Sequence, residues 1–214
     1  MSFQTAIYLK KATSRAKSDV ANKLISMFLH ELSRKLGAKL GMFVTDQAYT
    51  AEVERIFGSS CAYCGRYLEP DRASVEHLDG MNRQRAGLHI VGNVLVACKR
   101  CNNAKRQDDS LKTLQLATTG WESFLAHDGS KCVEGCKNCA YWRSLWPDES
   151  ERAKYLLSAI ERIRTFRAQF PKAAECRVRA EKELPEVMET IYREGQHYAA
   201  SVISAAVTKA MSTF

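Results

Sequence analysis

Two Cys-x-x-Cys pairs, Cys61-Ala-Tyr-Cys64 and Cys98-Lys-Arg-Cys101, offer four thiolates at the spacing that closes a tetrahedral zinc site, with Zn–S distances of about 2.3 Å. Four sulfurs saturate such an ion and leave no position for a substrate, so this site is expected to hold structure together. Chemistry must then come from what lies between and just beyond the pairs. There the chain carries Glu76-His77, Gly92-Asn93 and, directly after the last cysteine, Asn102-Asn103. An acid, an imidazole and carboxamides are the parts that phosphodiester hydrolysis needs: a base for water, and a divalent cation to offset charge on the phosphorane and the leaving oxygen. His77 titrates in the right range to be that base. Glu76 and Asn102 supply hard oxygen donors suited to Mg²⁺ or Mn²⁺. Asp79 and Asn103 are weaker ligand candidates, and His89 is a neighbour without a defined role.

The chain has eight cysteines, seven of them from Cys61 to Cys139. In a reducing compartment such pairs indicate metal chemistry, not a disulfide framework. A second cluster, Cys132-Val-Glu-Gly-Cys136-Lys-Asn-Cys139, has the C-x3-C-x2-C spacing that resembles the iron–sulfur motif of radical SAM enzymes. Such an enzyme requires a large βα barrel, and the helix patterns after Cys139 are too short for one. A structural iron–sulfur cluster is the lesser alternative. A second zinc site is favoured, with His127 as fourth ligand and Cys176 in reserve.

Lysine and arginine outnumber the acids 32 to 24, for a formal charge of +8 and a pI near 9.1, which suits a polyanionic partner. Arg83, Arg85, Lys99, Arg100, Lys105 and Arg106 surround the central unit and are the candidate nucleic-acid contacts.

A carboxylate-histidine pair between two cysteine pairs, with asparagine after the last cysteine, resembles the HNH (ββα-metal) endonuclease family, in its zinc-stapled form similar to phage endonuclease VII. The first family histidine falls on His77, the central asparagine on Asn93 and the third motif residue on Asn102, where asparagine stands for histidine. Glu76 replaces the more usual aspartate and reaches one methylene further. The resemblance covers Cys61 to about Arg106. It implies a structural Zn²⁺, a catalytic Mg²⁺ or Mn²⁺ held by Glu76 and Asn102, an Asn93 that organises the loop, and DNA hydrolysis leaving 5′-phosphate and 3′-hydroxyl ends. Restriction or antiphage defence is the expected setting. The competing expectation is a non-catalytic zinc module that binds nucleic acid or a protein.

The elements that position these residues can be read from periodicity. Val20, Leu24, Ile25, Phe28, Leu29, Leu32 and Leu36 form one helical stripe, with Gly37 and Gly41 as stop signals. A short helix with Thr50 as N-cap carries Val53, Ile56 and Phe57 and ends at Gly58. Two strands are predicted over 73–78 and 89–97, followed by a helix over 98–106. Trp121, Phe124 and Leu125 mark a short helix. A longer one spans 148–170 with Pro171 as its stop, and a final helix begins near Pro185. The expected fold is α+β: a zinc-bound ββα unit embedded in a mainly helical protein. Its segments are a helical 1–58, the module at 59–110, the second cysteine cluster at 111–147 and a helical 148–214 whose surface can serve a protein partner or self-association. No apolar run is long enough to span a bilayer and the start lacks the apolar stretch of a signal peptide, so a cytoplasmic protein is expected.

Overall fold

The computed structural model describes residues 5–107, 120–127 and 135–212, with side chains described from residue 18 to 105 in the first of these stretches. The described residues are mostly helical, with one two-stranded antiparallel sheet among them, which makes the fold α+β. Helix α1 (Thr5–Leu40) buries Ala21, Ile25, Leu29 and Ser33, a repeat of four that makes a narrow stripe. Val20, expected in that stripe, is 41% exposed because it lies one position off this row. Gly41 ends α1 at a positive φ of 70°. Helix α2 (Gln47–Phe57) starts three residues before the expected Thr50. Asp46 occupies the N-cap position, and Thr50 instead bonds back to the Gln47 carbonyl at 3.0 Å.

The strands are β1 (Ala73–His77) and β2 (Val94–Cys98), paired from Ala73↔Cys98 to His77↔Val94. Residues 89–92, expected to open the second strand, instead form a turn. Gly92 has a φ of 77° and the Asn93 amide bonds the Ile90 carbonyl at 3.1 Å, which closes the chain on itself before a ladder can start. Helix α3 (Lys99–Gln107) leaves β2 without a loop and lies against both strands.

Helix α4 (Gly120–Leu125) and helix α5 (Lys137–Leu145) are joined by the Trp142 indole N–H, which donates to the Phe124 carbonyl at 2.8 Å. Helix α6 (Glu149–Ala168) is capped by Asp148, whose Oδ1 accepts from the Glu151 amide at 2.8 Å, and it buries Leu156, Ala159, Ile163 and Phe166. Pro171 both follows α6 and opens helix α7 (Pro171–Met211). The last helix thus starts at Pro171 and runs through Pro185. Ala180 and Met188, on either side of that proline, are both buried, so packing carries the helix across the missing N–H.

Helices α1 and α7 pack along each other, and Gly195 allows their close approach: a Cβ there would sit 2.7 Å from Leu24 Cδ1. The buried residues, from Ile25 on α1 to Met188 on α7, form one continuous core that includes Cys61, Tyr63, Leu95 and Phe166. The ββα unit therefore shares its core with the helices around it. Beyond Ala199 the end of α7 carries exposed Val202, Ile203, Val207 and Met211, in the segment expected to meet a partner. No described helix is long and apolar enough to cross a membrane.

Candidate functional site

The hairpin and the start of α3 bring Cys61, Cys64, Cys98 and Cys101 together, with all four Sγ atoms within 4.8 Å of one another and Cys64 and Cys98 at 4.0 Å. A zinc tetrahedron with Zn–S bonds of about 2.3 Å has sulfur–sulfur edges of about 3.8 Å, so this donor set fits the ion. Gly65, at a φ of 67°, makes the turn that closes the first pair, and its amide bonds the Cys61 carbonyl at 2.9 Å. Backbone amides aim at the sulfurs: Cys98 N–H at Cys61 Sγ and Cys101 N–H at Cys98 Sγ, each at 3.3 Å. Tyr141 on α5 places its hydroxyl 2.9 Å from Cys101 Sγ. The crowded sulfurs split their proton affinities. The Cys98 thiol is pushed far down, chiefly by its hydrogen bond from Cys101, while Cys101 is pushed far up by its neighbours, Cys61 first. A dication removes that conflict, because all four can then be thiolates.

His127, Cys136 and Cys139 form the second group, with ligand atoms again within 4.8 Å of one another. The His127 Nδ1 lies 3.2 Å from Cys136 Sγ and 3.9 Å from Cys139 Sγ, at the entrance to α5. An imidazole and two thiolates are soft-to-borderline donors that can hold a metal such as zinc. Cys132 lies outside the described residues. Cys176, the reserve ligand, sits elsewhere on α7 beside Leu32, Leu36 and Leu184 of the α1–α7 seam, so it does not belong to this group.

Adjacent residues of β1 turn to opposite sides, as strand pleating requires. Glu76, 3% exposed, points in toward α3. Its Oε1 accepts from the Tyr63 hydroxyl at 3.0 Å and pairs with the Lys105 ammonium, which also donates to the His77 carbonyl at 2.5 Å. Burial, then the Glu76 charge, pushes the Tyr63 hydroxyl well above its ordinary value and keeps it a donor. Asn102 lies one helical turn before Lys105 on the same face of α3 and donates to Ser74 Oγ at 3.0 Å. Glu76, Asn102, Lys105 and Tyr63 thus share one seam. His77 turns to the other side, where its Nε2 is 2.9 Å from His89 Nδ1, and His30 of α1 stands beyond with its ring 5.5 Å from that of His89. Burial, then the neighbouring His30, holds His89 below the ordinary histidine value.

Asn93 is fully buried and uses its whole carboxamide. Its Oδ1 accepts from the Asp79 amide at 2.8 Å and from Arg167 at 3.1 Å, while its Nδ2 donates to the Asp79 and Leu88 carbonyls at 3.1 and 2.8 Å. The loop between the strands is tied at its base by these bonds. Gly87 completes the closure, since a Cβ there would fall 1.9 Å from the Asp79 carbonyl oxygen. Asp79 itself is held by Arg167 of α6 at 2.7 Å and Arg177 of α7 at 3.6 Å, which occupies the carboxylate considered as a ligand. Burial, then the Arg167 charge, lowers the Arg177 guanidinium to about 10. Asn103 is exposed on α3.

Most of the candidate phosphate contacts have protein partners. Arg83 pairs with Glu189 at 3.2 Å and stacks over Tyr192, Lys99 bonds the Asp71 carbonyl at 2.5 Å, and Arg100 bonds Ser144 Oγ at 3.0 Å. Arg85 lies against Gly120. Lys105 corrects the expectation outright: it is only 5% exposed and its ammonium is committed to Glu76, so it is no surface contact. The Arg106 side chain lies outside the described residues. Sequence reasoning missed Tyr63, Tyr141, Arg167 and Arg177. Tyr63 stands inside a cysteine pair and Tyr141 two residues after Cys139, so those two had a local signal, whereas the arginines lie in helices that follow the module and had none.

Neither the protein-family models nor the curated proteins searched contain a match to this chain.

Proposed function

We propose that the protein is an HNH-type endonuclease that hydrolyses DNA phosphodiester bonds. The observation that carries this reading is the ββα order with Cys101 and Asn102 consecutive on α3, so that the first turn of one helix contributes both to the cysteine group and to the seam around Glu76. Zinc at the four cysteines fixes that turn against the hairpin. A zinc ion at His127, Cys136 and Cys139, with Cys132, is the parallel proposal for the second group.

A catalytic Mg²⁺ or Mn²⁺ fits the seam in donor chemistry. A carboxylate and a carboxamide face it from β1 and α3, and a cation, the Lys105 ammonium, already sits on the carboxylate. Glu76 and Asn102 would hold the metal, whose contribution is to offset charge on the phosphorane and the leaving oxygen. His77 would take the proton of the attacking water; since its ring turns to the opposite side of β1 from Glu76, this role rests on the motif resemblance and not on a shared site. His89 fixes the plane of the His77 ring through their 2.9 Å contact, and Asn93 fixes the loop that follows His77. Ordered donors in a rigid frame lower the cost of reaching the transition state.

The competing function, a non-catalytic zinc module that binds nucleic acid or a protein, has one observation in its favour: the closed Glu76–Lys105 pair. Cleavage assays on plasmid, branched and single-stranded DNA, with and without Mg²⁺, separate the two. Metal-dependent cleavage that falls by about 10²–10⁴ in His77→Ala, with zinc content and DNA binding retained, is the expected result. DNA binding without cleavage by the wild-type protein establishes the other function.

A further inference from the structure

Lys105 is nearly as buried as Glu76, at 5% and 3% exposure, and its ammonium bridges the Glu76 carboxylate and the His77 carbonyl. A surface phosphate contact would not be built this way. Lysine carries a compact point charge on a flexible four-carbon stem, which can leave a carboxylate by rotation about its side-chain bonds without moving the helix. The stem starts on the face of α3 that also carries Asn102, the other oxygen donor of the seam. A monovalent ammonium and a divalent ion at the same carboxylate repel each other strongly in a site with little water, so one excludes the other.

We propose that Lys105 is a tethered cation that competes with the divalent metal for Glu76, so that metal entry and release of the Lys105 ammonium from the seam are one event. This rests on the reading of Glu76 and Asn102 as metal ligands. While paired with Lys105, Glu76 is not left as an uncompensated buried charge. Metal affinity is correspondingly reduced by the fraction of molecules in which Lys105 is off the carboxylate. Once displaced, the ammonium remains within one side-chain length of the seam and adds positive charge where a phosphate must approach. Metal selectivity follows from the same competition, since ions that dehydrate reluctantly displace an ammonium less readily.

The test is Mn²⁺ binding to the zinc-loaded full chain, followed by the electron paramagnetic resonance signal of free Mn²⁺, for wild type, Lys105→Gln and Asn102→Ala. If the paired state dominates, Lys105→Gln, which removes the charge, binds Mn²⁺ about tenfold or more tightly than wild type, and Asn102→Ala binds it more weakly. A second measurement uses the wild-type protein alone: acylation of Lys105 by an amine-reactive reagent, read by mass spectrometry, should rise with Mn²⁺ and reach half its increase at the Mn²⁺ dissociation constant. This keeps the proposal falsifiable if Lys105→Gln does not fold. Equal Mn²⁺ affinity in wild type and Lys105→Gln, or wild-type binding with unchanged Lys105 labelling, overturns the competition and leaves the metal-ligand reading intact. Failure of both wild type and Lys105→Gln to bind Mn²⁺ overturns both.

Discussion

The two faces of the β1–β2 hairpin differ in kind. The inner face, toward α3, holds charge and sulfur in a dry space: Glu76 with Lys105 and Tyr63, and next to them the four cysteines, of which Cys61 and Cys101 are fully buried. The outer face holds Val75 and Val96, at 60% and 38% exposure, and the half-buried His77–His89 pair. One residue step along β1 separates the two environments. A buried charge must be paired and hydrogen-bonded to persist, so the inner face is expected to be stability-critical and intolerant of single changes. A half-exposed imidazole pair can change protonation at small cost, so the outer face is expected to tolerate substitution and respond to pH.

The sharpest way to break this contrast is to remove a sulfur from the inner face. At a structural zinc site the metal's binding free energy is folding free energy. With zinc at the four cysteines, as proposed, Cys101→Ala should therefore lose that metal and its cooperative unfolding transition, with insoluble or unfolded protein as the outcome in circular dichroism and elemental analysis. A soluble, zinc-free Cys101→Ala variant with the wild-type melting temperature would remove the structural role of the group.

The next effect in size tests the ion pair. Glu76→Ala leaves Lys105 buried without a counter-ion, a change that costs roughly 3–5 kcal/mol, or on the order of 10 °C in Tm for a chain of this length. The double variant Glu76→Gln with Lys105→Met removes both charges and should recover most of that loss. Thermal melts of the single and double variants decide the matter, because a double variant as unstable as the single one would mean that packing, not charge, dominates this seam.

How much of this was legible in the sequence differs between the two faces as well. Spacing alone identified the cysteine pairs, because the ligand geometry of zinc imposes it, whereas the faces of β1 were not legible: apolar Val75 is exposed and charged Glu76 is buried, the reverse of what residue type suggests. The pairing of Glu76 with Lys105 was half legible: the i, i+3 relation of Asn102 and Lys105 puts both on one face of α3, but nothing local says that this face meets Glu76 instead of solvent. The Arg167 and Arg177 anchors of Asp79 were not legible, since they come from helices α6 and α7 and depend on how those helices dock. The same holds for Pro185. Its local signal is that of a helix start, and only burial of Ala180 and Met188 on both sides explains a helix that continues through it. Residues 89–92 read as strand from their apolar content, yet Gly92 at positive φ and the Asn93 tie make them a turn.

The smallest expected effect belongs to the outer face and is a pH dependence. His89 sits below its ordinary proton affinity because of burial first and the adjacent His30 second. The unfolded chain takes up this proton near pH 6.5, the folded chain only at lower pH. Between those two points the unfolded state binds more protons, so folding stability falls as pH falls, and well above about pH 6.5, where neither state holds the proton, this group has no effect. His89→Asn should thus flatten part of the decline in Tm between about pH 7 and pH 5.5 while leaving Tm near pH 7.5 almost unchanged. Zinc content must be followed at each pH, because thiolate protonation releases metal and lowers Tm by an independent route. A decline in Tm that is identical in wild type and His89→Asn, with zinc retained in both, would show that the outer face is no more pH-responsive than the rest of the molecule, and the contrast between the two faces would then rest on the inner one alone.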